Sequence, residues 1–298
     1  MSGSTVTRRA FGRMLREMRE RAGKSLLTAG LEIDVSPPTV LRLEQGLASK
    51  VSGPQIEKLL DLYRLSPRER AGAMELWKEV REQAKVAKLQ GTSKAFWQAY
   101  ADQLAAHFPH YLRLEAAASS VTTHQLVLMP GLLQTPDYRR AMGRMDNPEL
   151  STVDAERRVE LMIRRQTRLG STGFRLRAFI SEATLRHQIG GPSVMAEQLR
   201  WLVAAGEIPG LIVRIIPFGP AYRALTIGSF TLLEFPTLER GLREPPVVYI
   251  EDAFGALYHE QEAVVTKYRE AVESLHAVAL SEEDTRDMVL RVAKEYAA

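Results

Sequence analysis

The chain has 298 residues and no cysteine, and its 45% hydrophobic and 26% charged residues match an average soluble globular protein. That length predicts two domains, and the missing cysteine excludes a disulfide scaffold and a thiolate zinc site. Residues 1–70 hold 13 Lys+Arg against 8 Asp+Glu, and the remaining residues 27 against 28, so the whole net charge of +4 resides in the first quarter. A small basic unit joined to a larger neutral one points to an anionic partner for the first. No apolar run approaches the ~20 residues of a membrane-spanning helix. The start carries Arg8, Arg9, Arg13, Arg16 and Arg19 and no apolar segment, which is not a secretory signal, so a cytoplasmic protein is expected.

Phe11, Met14, Leu15, Met18 and Ala22 have the spacing of one apolar helix face over 8–22, and Gly23 suits its stop. Ser25 caps a short helix through Ile33. Ser36 with Pro37 at the first helical position starts another, ending near Gln45 and Gly46. A fourth begins at Ser52-Gly53-Pro54, and Ser66-Pro67-Arg68-Glu69 is a capping box that launches a fifth through Trp77 to about Lys88. Leu89 to Lys94 loses periodicity and reads as a linker. Beyond it, Phe96 to Tyr111 reads as helical. Arg175–Ser181, Leu211–Ile216, Phe230–Phe235 and Val247–Ile250 read as strands, with Val121–Leu128 a weaker candidate. Helices are expected over 152–169 and 193–205, along the stripe Val265, Tyr268, Val272, Leu275, Ala279, and from Glu282 after Ser281. The expected fold is α+β overall: an all-α five-helix domain over 1–70, a connecting helix and linker over 71–95, and a larger α+β domain with a helix-covered sheet over 96–298.

Within the first domain, Ala29, Ile33, Val35, Val40 and Leu43 fall where two crossed helices must meet. Gly30 sits at their close approach, and Asp34 at a turn position that goes left-handed, which Asp tolerates. Together with Val40-Leu41-Arg42-Leu43-Glu44-Gln45-Gly46, this pattern resembles an Xre-type, lambda-repressor-like helix-turn-helix over residues 10–65. The resemblance implies double-stranded DNA as partner and a salt bridge between Arg19 and Glu44 that orients the recognition helix. Two positions depart from that family: Leu26 stands where a phosphate-holding Gln is usual, and Pro37 and Pro38 replace polar residues at the start of the recognition helix. Base readout then falls to Ser36, Thr39 and above all Arg42, whose guanidinium can grip guanine O6 and N7 together. Phosphate clamping falls to Lys50, Ser52 and the N–H groups opening the fourth helix. Arg8, Arg9 and Arg13 are either a phosphate-binding arm or a solvated helix face.

In the second domain, His110 to Ala118 and Met129-Pro130-Gly131-Leu132-Leu133-Gln134-Thr135-Pro136-Asp137-Tyr138 resemble the C-terminal domain of an actinobacterial regulator family with WhiJ-like members. Arg158 to Gln166, Gly190-Gly191-Pro192, Ile215-Ile216-Pro217, Phe230 to Phe235 and Val248 to Glu251 extend the resemblance over most of 96–298. It implies an antitoxin-like DNA-binding repressor whose second domain binds a small protein encoded nearby, and supplies no agreed small-molecule ligand. Pro130-Gly131-Leu132-Leu133 reads as a turn presenting two leucines, either to the core or to a partner helix. Trp97, Tyr100, Trp201 and Tyr258 are either core aromatics or a ligand cage.

No P-loop, G-x-G-x-x-G, G-x-S-x-G or H-E-x-x-H occurs, so neither an enzyme nor a cofactor is expected. His107 and His110 form an isolated pair with no further ligands beside them, and Glu182, Glu251 and Asp252 at strand ends are expected to cap helices or pair with arginines, the alternative being acid and base of a hydrolase or transferase. The expected protein is a homodimeric repressor, since one monomeric helix-turn-helix buries little DNA. Two alternatives stand beside it: a sensor with an apolar ligand pocket in the second domain, and an interaction scaffold that has lost DNA binding through Pro37 and Pro38.

Overall fold

The computed structural model describes residues 3–47, 49–89, 100, 104–105, 108–219, 221, 223–237, 244–252 and 255–297, with only the backbone described for 3–6, 83–89 and 223. The chain divides into two compact units, Met1–Ala95 with Pro236–Glu244, and Phe96–Phe235 with Pro245–Ala298.

The first unit is all helical: α1 (Gly3–Arg21), α2 (Leu26–Glu32), α3 (Pro37–Glu44), α4 (Gly53–Leu62) and α5 (Pro67–Leu89). Each amphipathic face contributes to one core of Phe11, Leu15, Ala29, Ile33, Val40, Leu43, Ile56, Leu59 and Leu60. Burying one such large side chain contributes about 1.5–3 kcal/mol. The capping box forms at the start of α5: Ser66 N–H donates to Glu69 Oε2 at 3.0 Å and Glu69 N–H to Ser66 Oγ at 3.3 Å. That helix is no mere connector. Its Ala73, Leu76, Trp77 and Val80 lie in the same core, with Trp77 against Phe11 at a 5.1 Å ring separation.

The second unit is a mixed six-stranded sheet with helices. In chain order its elements are α6 (Phe108–Ala117), β1 (Ser120–Gln125), a 3-10 turn (Gly131–Leu133), α7 (Pro136–Asp146), α8 (Thr152–Gln166), β2 (Arg175–Ser181), α9 (Glu182–Arg186), α10 (Pro192–Ala205) and β3 (Leu211–Ile216). A second 3-10 turn (Arg223–Thr226), β4 (Phe230–Glu234), β5 (Val247–Asp252), β6 (Gly255–His259), α11 (Glu262–Val278) and α12 (Glu282–Glu295) follow. The strand order is β3-β2-β1-β4-β5-β6. The first three strands run parallel, joined by helical crossovers, and the last three are antiparallel. Alternation along the strands gives the sheet two faces. Phe179, Phe230, Leu232 and Val248 pack under Val265, Val272 and Leu275 of α11. Val121, Thr123, Leu176, Thr231 and Tyr249, in register with one another, form the other face.

The structure adds three elements to the sequence reading. β6 is a short edge strand whose Leu257 is exposed, so it carries no burial pattern. Helix α9 has one turn and a half. Helix α7 opens with Thr135 as N-cap and Pro136 at its first position, the signal that starts α3. The strand candidate Val121–Leu128 is β1, ending at Gln125. The helix expected over 96–111 is not continuous: Leu104 and Ala105 are not helical, and α6 begins only at Phe108 and runs on to Ala117. Linker residues 90–94 lie outside the described residues.

Candidate nucleic-acid interface

Helices α2 and α3 meet at a tight corner. Thr28 N–H donates to Ser25 Oγ at 3.0 Å, fixing the entry to α2. After Ile33 the chain reverses through Asp34, whose φ of 55° is the left-handed conformation expected there. Val35 N–H then reaches back to Gly30 O at 2.9 Å. A Cβ on Gly30 would stand 2.7 Å from Val35 O, so a side chain would push this corner open. Gly12 has the same role against α3: its Cβ would lie 2.5 Å from Glu44 O, so α1 and α3 touch through backbone.

Beside that crossing lies a buried ion pair. Arg19 Nε donates to Glu44 Oε1 at 2.7 Å and Nη2 to Oε2 at 3.0 Å, while Nη1 donates to Lys24 O at 2.9 Å. Arg19 and Glu44 are 9% and 4% exposed, so neither is presented to a ligand. The hydrogen bond to Glu44 outweighs desolvation and raises the Arg19 pKa. Tyr63 is buried nearby, and burial first, then the Glu44 charge, raises its pKa.

The outward side of α3 carries Ser36, Pro38, Leu41, Arg42 and Gln45, all exposed, with Thr39 partly so. Pro37 and Pro38 have no N–H and Thr39 N–H donates to Ser36 O at 2.8 Å, so Ser36 makes no side-chain cap; its Oγ lies 3.0 Å from Thr39 Oγ1 instead. The start of α3 therefore offers two paired hydroxyls, and the Thr39 and Val40 N–H groups are already bonded to Ser36 O. Arg42 stands one turn further along, on the same side as Pro38 and Leu41. Sequence reasoning passed over Leu41 and Gln45, whose exposure depends on which side of α3 the core takes. It also passed over Leu27 and Leu31 of α2, which are 57% and 74% exposed.

Lys50 and Ser52 are exposed on the loop before α4. That loop is held in place: Ser52 N–H and Oγ both donate to Gln55 Oε1, at 2.9 and 3.0 Å, and Gln55 Nε2 donates to Ile33 O at 2.7 Å. The start of α4 is thus fastened to the α2–α3 corner, and its helix N-terminus faces the same solvent as Ser52. The first-helix arginines are arranged otherwise than either expectation. Arg9 is 5% exposed with Nε 3.3 Å from Glu244 Oε1, and Arg13 is bonded through both terminal nitrogens to Glu244. Glu244 belongs to the segment Pro236–Glu244 of this unit, so a carboxylate distant in sequence neutralises charges read as an arm or a solvated face. Arg8 is also partly buried, which lowers its pKa.

In the second unit, Leu132 and Leu133 sit in the 3-10 turn, 3% and 0% exposed. Leu133 is a core residue and cannot receive a partner helix. Tyr100 is buried, with the guanidinium carbons of Arg157 and Arg164 at 6.0 and 5.7 Å from its ring centre. Trp97 and His107 lie outside the described residues. The Tyr258 ring lies tilted against those of His110 and Tyr249, at centroid separations of 4.6 and 5.2 Å. Glu182 accepts from Phe218 N–H and Arg186, at 3.1 Å each, so it organises the start of α9.

Residues 10–73 match a family described as a helix-turn-helix domain. Residues 108–291, well over half of the chain, match a second, described as a domain of unknown function, DUF5753. The chain belongs to the DUF5753 family. No curated protein and no solved structure matches it. This DUF5753 chain therefore joins the family's domain to a helix-turn-helix unit, the arrangement of a DNA-binding regulator. Among its described residues no three His, Asp or Glu side chains gather as a metal site. Nor is any helix long and apolar enough to cross a membrane.

Proposed function

We propose that the chain is a non-enzymatic transcriptional regulator of the antitoxin-like, WhiJ-like kind, a homodimeric repressor acting in the cytoplasm. The observation that carries this reading is the rigid α2–α3 corner with Arg42 on its outward side, flanked by Lys50 and Ser52 on a loop tied to the same corner. Phosphate contacts by Lys50, Ser52 and the α4 N-terminus set the register, and Arg42 reads a base edge. Leu41 beside it suits a thymine methyl. Ser36 and Thr39, already hydrogen-bonded to each other, add polar contacts, and Pro37 and Pro38 shift part of the recognition onto DNA shape. The Arg19–Glu44 pair acts indirectly, by fixing the angle between α1 and α3.

A small protein partner suits the α7–α8 surface, where Val153 and Ile163 are 70% and 46% exposed within a rim of Arg140, Glu156, Arg157 and Glu160. An exposed apolar patch with a charged rim is the pattern of an interaction surface. The test of the whole reading is selection of duplexes from a random pool by the purified full-length protein. Enrichment of one motif with two-fold symmetry supports a homodimeric reader. A pool that stays random at every salt concentration overturns it.

A further inference from the structure

The sheet face opposite α11 is the floor of a cavity of about 200 Å³. Val121, Thr123, Leu176, Thr231 and Tyr249 form that floor, and Tyr111, the loop Met129–Leu132 with Gln134, Arg139, Met142 and Arg165 line its sides, leaving it partly open to solvent. A 150 Å³ apolar cavity holds a benzene ring. This one has room for a ring and one or two small substituents.

The loop is built with care. Gln134 Nε2 donates to Met129 O at 2.8 Å, and Gln166 Nε2 to Gln134 O at 2.7 Å. Gln198 Nε2 donates to Leu133 O, and its Oε1 accepts from Thr135 N–H, both at 2.7 Å. Three side-chain amides thus hold one short segment. The atom of this network left over is Gln134 Oε1, buried and without a hydrogen-bond partner.

The charges around the cavity are uneven. Arg165 is bound by Glu115, with Nε to Oε1 at 2.8 Å and Nη2 to Oε2 at 2.7 Å, and Tyr111 Oη also donates to Glu115 at 2.8 Å. Burial alone would raise the Glu115 carboxyl, but Arg165 and Tyr111 hold it below its ordinary value. That pair is internally neutral. Arg139 is different: partly buried on α7, it has no ion pair within the described residues. Asp146 and Glu251 act on it only at longer range, and Glu251 stands exposed at the mouth of the cavity. Desolvation, then Arg165 and Arg158, lower the Arg139 pKa to about 10, so it remains cationic at neutral pH. A partly buried cation whose carboxylates act only from a distance, with none hydrogen-bonded to it, is costly unless something anionic meets it.

We propose that this cavity binds a small ring carboxylate bearing a hydroxyl group, with the carboxylate on Arg139, the hydroxyl donating to Gln134 Oε1, and the ring on the floor of Val121, Leu176 and Tyr249. The site does not depend on the DNA-binding reading and is tested without DNA. The probe is 4-hydroxybenzoate, titrated calorimetrically into the full-length protein, with benzoate and neutral 4-hydroxybenzyl alcohol for comparison. One site per chain is expected, with the alcohol at least about tenfold weaker, as loss of a charge-assisted hydrogen bond dictates. Arg139→Met is expected to weaken 4-hydroxybenzoate about tenfold or more, whereas Arg139→Lys retains part of the affinity. Without ligand, Arg139→Met melts at the same temperature as the native protein or higher, because an unpaired cation has been removed. No binding of either acid at millimolar concentration overturns the proposal. So does equal binding of acid and alcohol, undiminished affinity in Arg139→Met, or a lower melting temperature of ligand-free Arg139→Met, which would make the arginine a structural one.

Discussion

Replacing Glu44 with alanine isolates the contribution of the buried pair to the recognition helix. The carboxylate is almost fully enclosed and accepts two short bonds from Arg19, at 2.7 and 3.0 Å. Removing one partner of a buried pair costs about 3–5 kcal/mol, because the other charge stays desolvated. Arg19 keeps its bond to Lys24 O and a 3.4 Å contact with Glu20, which places the cost near the lower end, about 3 kcal/mol. That is roughly a hundredfold in an opening equilibrium. Hydrogen exchange on the full-length protein reads this locally. Amides of α1 and α3 around the Gly12–Glu44 crossing are expected to lose about a hundredfold in protection, while β1 and β2 amides are unchanged. A double replacement, Arg19→Met with Glu44→Leu, is expected to restore most of it, since an apolar pair of similar volume leaves no stranded charge. Protection within twofold of native in Glu44→Ala would refute the reasoning. Loss of DNA binding with protection intact would show instead that Glu44 acts on DNA directly.

Three further outcomes follow from the geometry. Gly30→Ala sets a Cβ 2.7 Å from Val35 O and is expected to destabilise the first unit by about 1–3 kcal/mol, seen as a lower urea midpoint. Lys50→Ala is expected to weaken binding to specific and random duplexes alike and to reduce the salt slope by about 1, whereas a base-reading role would spare random DNA. Burial lowers the pKa of His124, and burial with Arg177 and Arg214 lowers that of His276. The unfolded chain therefore binds protons that the folded one excludes. Stability from these groups is complete above the unfolded value near 6.5 and is lost as pH falls below it. Urea unfolding between pH 7.5 and 5 checks this, and His124→Gln is expected to reduce the dependence.

Much of the first unit is legible in the sequence because its signals are local. Caps at Ser25 and Ser66, prolines at helix starts, and the Gly30–Asp34 spacing each act within a few residues. The strands of the second unit are legible for the same reason: Leu211–Ile216 and Arg175–Ser181 carry their burial pattern in their own side chains. What escaped depends on distant partners. Glu244 meets Arg13 across 231 positions, so no reading of the first helix alone predicts that its arginines are neutralised. The short β6 is defined by pairing with β5, and its own residues give no alternation. Leu132 and Leu133 have two open readings in the sequence, and only their burial in the folded unit assigns them to the interior. Arg139 carries no motif: its meaning lies in having no ion-pair partner among the described residues, which a sequence does not display.

Under the proposed function, Arg42 beside a fixed corner reads a base in double-stranded DNA. The most direct test of this is a fluorescence-anisotropy titration of the selected duplex and a scrambled one, with native protein and Arg42→Ala, from 50 to 200 mM salt. Arg42→Ala is expected to lower the ratio of specific to random affinity by about 1–3 kcal/mol, while affinity for random DNA falls far less. Equal loss on both duplexes would make Arg42 a phosphate contact, and unchanged affinity for both would show that Arg42 does not touch DNA.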